Sequence, residues 1–360
     1  MKKAFITDCE GPVSKNDNAF ETAAHFIPNG DKLFTVISRY DDALADALKR
    51  PNYKPGSTLK FIIPFFKAYS VTDSKMKKFS AQTLILISDS QETLRHIRKL
   101  AYTFIVSTSY EHYIAAVCKA IRFPFKNTYC TKASLNKYRI TKTEKALYKQ
   151  LAKTISQMPL IEIPQKANSL QDFSPKDRET IERLDRIFFE ELPKTSAGRI
   201  FSEIDPVGGS EKAEAIREAA NKFGFSLRDI MYVGDSITDE EAFKLVRDNG
   251  GLAVSFNGNH YAVRNAEIAI LSESSLVTAA IADIFSKLGK QETLKAAARW
   301  NLETLKKLQI NKSLLTRLFA SPPGIPPKVK IVTPENMRTL AEESSRFRKK
   351  VRGEAVGGLA

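Results

Sequence analysis

The sequence predicts an α/β fold: a Rossmann-like, mostly parallel sheet interrupted by helical insertions and followed by a helical C-terminal extension. Two patterns carry this expectation. Short, nearly continuous apolar runs of strand length alternate with segments of helical periodicity; they lie within "TFIVSTS" at 103–109, "DIMYVGDSITD" at 229–239, "GLAVSF" at 251–256 and "AEIAIL" at 266–271. Strands that are apolar on both faces belong in a parallel sheet covered by helices on each side. In addition, polar residues stand at the carboxyl ends of such runs, Asp8, Ser107 and Asp235 among them. Ligand crevices of open parallel sheets lie at that rim.

The first element is "FITDCEGPVSKND" at 5–17. Its apolar start is too short for a helix and is bounded by a turn through Gly11 and Pro12, which suits a buried strand. Side chains alternate along a strand, so Asp8 and Glu10 leave its end on one side while Cys9 points away. Two carboxylates at such an edge are costly unless a metal, a lysine or solvent faces them.

Residues 17–85 follow with the helical patterns "NAFETAAHF" and "DDALADALKR" and read as a helical insertion. Its apolar "FIIPFF" at 61–66 is expected to be core of that insertion rather than pocket lining. Residues 86–125 return to the sheet grammar, with "TFIVSTS" leading into "YEHYIAAVCKAI". A second insertion, 126–205, carries "TKTEKALYKQLAKTI" and "PKDRETIERLDRIFFEEL". Residues 206–285 open on "GGSEK" at the start of a helix and hold the last three strand-like runs. From 286 to 360 a helical, basic extension is broken by "SPPGIPP" at 321–327.

Composition limits the function classes. A chain of 360 residues, 42% hydrophobic and 27% charged, is ordinary for a globular protein of about two domains. No apolar run approaches the roughly 20 residues of a membrane span, and the N-terminus lacks a signal-peptide core, so a cytoplasmic location is expected. Cys9, Cys118 and Cys130 are too scattered for a disulfide framework or a thiolate zinc site. The net charge of +15 is uneven: residues 286–360 hold 16 Lys and Arg against 6 Asp and Glu, and the rest 40 against 35. The run "RFRKKVR" at 346–352 is of a kind that meets RNA, a membrane surface or an acidic partner. No nucleic-acid motif accompanies it, so a solvated chain end is the expectation.

Taken in order, "DCEGP", "VSTS", "GGSEK" and "VGDSITD" resemble the haloacid dehalogenase (HAD) superfamily of phosphohydrolases, closest in layout to its phosphoserine phosphatase branch. The first motif also resembles that of an archaeal family labelled as the R subunit of an energy-converting hydrogenase. The resemblance covers 1–16, 86–125 and 206–285, and implies a HAD-like core with 17–85 as a cap.

It also implies roles. Asp8 would be the nucleophile that forms an aspartyl-phosphate. Glu10, where the family usually has a second Asp, would be the acid–base residue. Ser107 would bind a phosphoryl oxygen, aided by N–H groups opening the next helix, with Thr108 and Ser109 as competing candidates. Lys212 would neutralise nucleophile and phosphate. Asp235 and Asp239, with Asp8 and the backbone oxygen of Glu10, would hold Mg²⁺, Asp239 directly or from behind. Asn257, just past the fourth strand, is expected to face the crevice and touch substrate. Pro12, in place of the usual Thr, and Thr238, where relatives often have Asn, depart from the pattern.

The implied function is a Mg²⁺-dependent phosphatase acting on a small phosphate monoester. The alternatives are a phosphotransferase or mutase using the same intermediate, and a binding or assembly subunit with weak chemistry. Glu10, Pro12 and the basic extension favour the last; the joint presence of Asp8, Lys212 and Asp235 speaks against it.

Overall fold

A computed structural model describes residues 3–308, 310–319 and 327–359. The Pro-rich break expected at 321–327 lies outside the described residues except for Pro327.

Seven strands form one sheet: β1 (Ala4–Thr7), β2 (Tyr102–Tyr110), β3 (Thr128–Thr131), β4 (Ile230–Gly234), β5 (Leu252–Phe256), β6 (Ile268–Leu271) and β7 (Lys328–Ile331). Their order is β3-β2-β1-β4-β5-β6-β7, parallel throughout except for β7, which runs antiparallel to β6. The chain is therefore an α/β protein with a Rossmann-like sheet. β1 lies inside the sheet between β2 and β4: Thr7 is in register with Ile105 of β2 and Val233 of β4. Asp8 and Asp235 thus leave neighbouring strands at one rim.

Alternate side chains feed two apolar layers. Phe5, Ile105, Val233 and Ile270 pack on one face with Leu94, Ile97 and Ile281. Ile6, Phe104 and Tyr232 pack on the other with Ile216, Phe243 and Val246. Burial on both faces is what made these runs nearly continuously apolar.

β3 and β7 did not stand out in the sequence. Each is four residues long, β3 reads "TYCT" and β7 "KVKI", and both are edge strands, where polar and lysine side chains are tolerated and discourage further pairing.

Helices from 17–83 and from 133–204 share a single hydrophobic core. Phe61, Phe65 and Phe66 are buried in it, and Phe61 stacks on Phe188 of the other insertion at 4.4 Å between ring centres. None of the three lines the crevice. Val356 and Leu359, from the C-terminal end of the chain, join the same core.

The basic run at 346–352 corrects the expectation of a solvated end. It lies in the helix Met337–Arg352, whose Leu340 and Ala341 pack with Val263, Ala269 and Leu271. Ser344 donates its hydroxyl to the Gly258 carbonyl at 2.6 Å. Arg348 is only 3% exposed, whereas Arg346 and Lys350 face outward. One side of this helix is charged for solvent and the other carries arginine inward, because carboxylates at the sheet rim receive it. Among the described residues no helix is long and apolar enough to cross a membrane.

Candidate active site

After β1 the chain turns tightly: the N–H groups of Val13 and Ser14 both donate to the Cys9 carbonyl, and Gly11 N–H to that of Ser14. Gly11 has φ of +99°, and a Cβ there would lie 2.1 Å from Asp235 Oδ2. Glycine is required so that backbone can approach this carboxylate closely. Cys9 turns into the core, while Asp8 and Glu10 both line a cavity of about 90 Å³. Ser107, Thr108, Ser109 and Asp235 line it from neighbouring strand ends, and Phe34, Ser38, Asp41 and Thr58 of the first insertion face them.

Asp8 is 4% exposed. Its Oδ1 accepts from Cys9 N–H at 2.5 Å and its Oδ2 from Lys212 Nζ at 2.6 Å. Lys212, fully buried in the first turn of the helix Ser210–Phe223, also donates to Asp239 Oδ1 at 2.7 Å. Burial alone would lower the lysine; Asp239 and Asp8 outweigh it and hold the ammonium above its ordinary range. A cation in a helix's first turn, unfavourable by itself, is stabilised here by two carboxylates.

Both oxygens of Asp239 are engaged by hydrogen bonds. Lys212 and the Tyr232 hydroxyl share Oδ1, and the N–H groups of Asp235 and Ser236 share Oδ2, at 2.6 to 3.0 Å. It braces the loop after β4 and fixes the lysine. Asp235 is held instead from the C-terminal helix: Arg348 and Arg352 each direct Nη1 at its Oδ2, Arg352 at 3.0 Å.

β2 continues to Tyr110, with its register to β3 shifting between Ser107 and Tyr110, and the next helix begins only at Glu111. The expectation that this helix opens beside Ser107 is corrected accordingly. Hydroxyls take over: Ser107 Oγ lies 3.3 Å from Ser109 Oγ, and Thr108 Oγ1 is buried without a hydrogen-bond partner among the described residues. An unmatched hydroxyl lining the same cavity as Asp8 is suited to an incoming oxyanion.

Asn257 is also corrected. Its backbone is left-handed, with φ of +48°. Its amide is spent on Ser272, Nδ2 donating to the carbonyl at 2.7 Å and Oδ1 accepting from the N–H at 2.9 Å. The side chain ties the loops after β5 and β6 together and does not line the cavity.

Four contributors were missed. Asp17 caps the helix Asn18–Phe26 by accepting from Phe20 N–H at 3.0 Å, and lines the cavity. Tyr232 braces Asp239 from within β4. Arg348 and Arg352 lie more than 110 residues from Asp235. Only Asp17 had a local signal, as an acidic residue just before a helical pattern.

The residues fit a divalent cation. Oxygens of Asp8, Asp235 and Asp239 lie within 4.8 Å of one another. Five carboxylates, counting Glu10 and Asp17, face three cations. Burial, with Asp239 and Asp235 nearby and against Lys212, pushes Asp8 up to about 6. Burial and Asp17 push Glu10 well above the carboxylate range, and burial raises Asp17. Carboxyls forced upward in this way mark a site short of positive charge, the setting in which a hard, oxygen-seeking cation binds.

A family model described as haloacid dehalogenase-like hydrolase matches residues 61–284, well over half of the chain; Asp8 and Glu10 precede the matched span. The structure of gene product AF1437 from Archaeoglobus fulgidus is similar over 100% of this chain and 99% of its own, with a TM-score of 0.81 and 22% identity, which shows a shared fold. An apo phosphoserine phosphatase structure matches 76% of this chain and 96% of its own at 13% identity and a TM-score of 0.41. A substrate-bound phosphoserine phosphatase matches 76% and 95% at 14% and 0.44. No curated protein sequence matches significantly. With the sheet order, the strand-end acids and the family match in agreement, the chain belongs to the haloacid dehalogenase-like hydrolases.

Proposed function

We propose that the chain is a Mg²⁺-dependent phosphatase that hydrolyses a small phosphate monoester through an aspartyl-phosphate on Asp8. One observation carries this reading: a buried carboxylate at the end of the interior strand β1, paired to a buried lysine at 2.6 Å, opens onto a cavity beside an unmatched hydroxyl. In the first half-reaction an Asp8 oxygen bonds to phosphorus as the ester P–O bond breaks. The leaving alkoxide takes the proton that its environment keeps on Glu10. In the second, Glu10 takes a proton from water as its oxygen bonds to phosphorus, releasing inorganic phosphate and restoring Asp8. Lys212 offsets charge on the nucleophile, and Thr108 with Ser107 offers hydroxyls to the phosphoryl oxygens. Mg²⁺ held by Asp8, Asp235 and the Glu10 carbonyl would supply positive charge that lessens repulsion between carboxylate and phosphate. The first insertion and the C-terminal helix close the cavity and exclude bulk water.

Glu10→Gln tests the acid–base assignment. With p-nitrophenyl phosphate and Mg²⁺, whose leaving group needs no proton, the variant is expected to release a burst of nitrophenol and then stall. Steady turnover should fall by about 10²- to 10⁴-fold because water is no longer activated. Parental steady turnover in Glu10→Gln would remove that role.

A further inference from the structure

The proposed metal carboxylate already carries protein cations. Arg348 Nη1 donates to Asp235 Oδ2 and, at 3.2 Å, to the Asp235 carbonyl. Arg352 Nη1 reaches the same Oδ2 at 3.0 Å. The two arginines are anchored differently. Arg352 is also fastened to the first loop, Nε donating to the Lys15 carbonyl at 2.9 Å and Nη2 to that of Asn16 at 2.5 Å. Among the described residues the hydrogen bonds of Arg348 all end on Asp235, and its buried Nε has no partner. Among the described residues Arg348 is thus held by Asp235 alone, on a carboxylate that the residues present would offer a metal ion, and is the less completely satisfied of the pair.

The helix presenting them is a built part of the fold. It is seated by Leu340 and Ala341, pinned by Ser344, and followed by Val356 and Leu359 in the core of the insertions. Arg348 is therefore delivered to the site with little freedom elsewhere. Two cations drawn to one carboxylate compete for its charge, and each lowers the apparent affinity of the other by the same factor.

We propose that Arg348 is a resident cation on Asp235 that competes with the divalent metal, so that the C-terminal helix sets the metal affinity of the site. A metal ion drawn to the Asp235 carboxylate would weaken the hold of Arg348 there, while Arg352 stays fastened to the first loop by Lys15 and Asn16. The proposal rests on the metal-dependent reading above, and reaches beyond it by making the basic extension the regulator of that step.

The test is Mg²⁺ binding to the full chain, measured by titration calorimetry and by the rise in melting temperature with added Mg²⁺. The proteins compared are the parent, Arg348→Met, Arg348→Lys and, as control, the outward-facing Arg346→Met. Arg348→Met is expected to bind Mg²⁺ about tenfold more tightly than the parent. It should melt lower without the ion, because Asp235 has lost a partner, and gain more from its addition. Arg348→Lys, which keeps the charge but loses the fork, is expected to bind with intermediate affinity and serves if the Met variant does not fold. Arg346→Met should match the parent. Equal or weaker Mg²⁺ binding by both Arg348 variants, with a parent that binds, would overturn the competition and leave the phosphatase reading standing. Absence of Mg²⁺ binding in every protein would overturn both the competition and the metal-dependent part of that reading.

Discussion

Asp8→Asn is expected to lower turnover of any phosphate ester the protein hydrolyses by on the order of 10⁴-fold or more, as loss of a covalent nucleophile does elsewhere. Asparagine keeps the shape of the side chain and an acceptor for Cys9 N–H, but its amide does not form an acyl phosphate. The fold should survive. Burial holds Asp8 up to about 6, so its ionised form is not a net source of stability, and Lys212 retains Asp239 as a partner. Phosphate release with Mg²⁺, run beside a thermal melt of both proteins, checks the two halves of the statement. A variant that melts like the parent and hydrolyses at the parental rate would remove Asp8 from the chemistry.

Lys212→Met should act in the opposite sense on stability. The methionine fills much of the same volume but leaves Asp8 and Asp239 facing each other with their shared cation gone. Removing one partner from a buried charge cluster typically costs about 3–5 kcal/mol, since the remaining charges stay desolvated. A drop of that size in the free energy of urea unfolding is expected, with turnover reduced by about 10²-fold or more through loss of charge stabilisation. Stability within about 1 kcal/mol of the parent would mean that the Asp8–Lys212–Asp239 cluster contributes little to the folded state.

The difference between these two variants follows from position. Asp8 is a carboxylate that burial disfavours, whereas Lys212 is a cation that two carboxylates require. The same logic explains what the sequence made legible. Strands buried on both faces leave a continuous apolar trace, so β1, β2, β4, β5 and β6 could be read, and acids placed directly after them marked the rim. Lys212 was readable because a lysine after paired glycines at a helix start conflicts with the helix dipole unless an anion answers it.

What escaped was non-local or unpatterned. Arg348 and Arg352 sit in a run whose composition is that of a solvated tail. Only the return of the C-terminal helix along β6, after an antiparallel edge strand too short to read, brings them to Asp235. The mismatch at Asn257 has another cause. An Asn at a left-handed position one residue past a strand resembles a crevice residue in sequence, yet its amide is spent on tying two loops together. The segment after Ser107 misled because helical periodicity says little about the start of a helix when the strand before it overruns. That the insertions share one core was invisible as well, since Phe61 and Phe188 are separated by the whole of β2 and β3.

The most direct measurement is identification of the phosphorylated residue. The full chain is mixed with Mg²⁺ and a radiolabelled small phosphoryl donor such as acetyl phosphate, quenched in acid, reduced with borohydride and digested with trypsin. Conversion of position 8 to homoserine in the peptide spanning residues 4–15, absent when phosphoryl donor is withheld, is the predicted result. Turnover of the donor with Asp8 unmodified, or with the label on another residue, would contradict it.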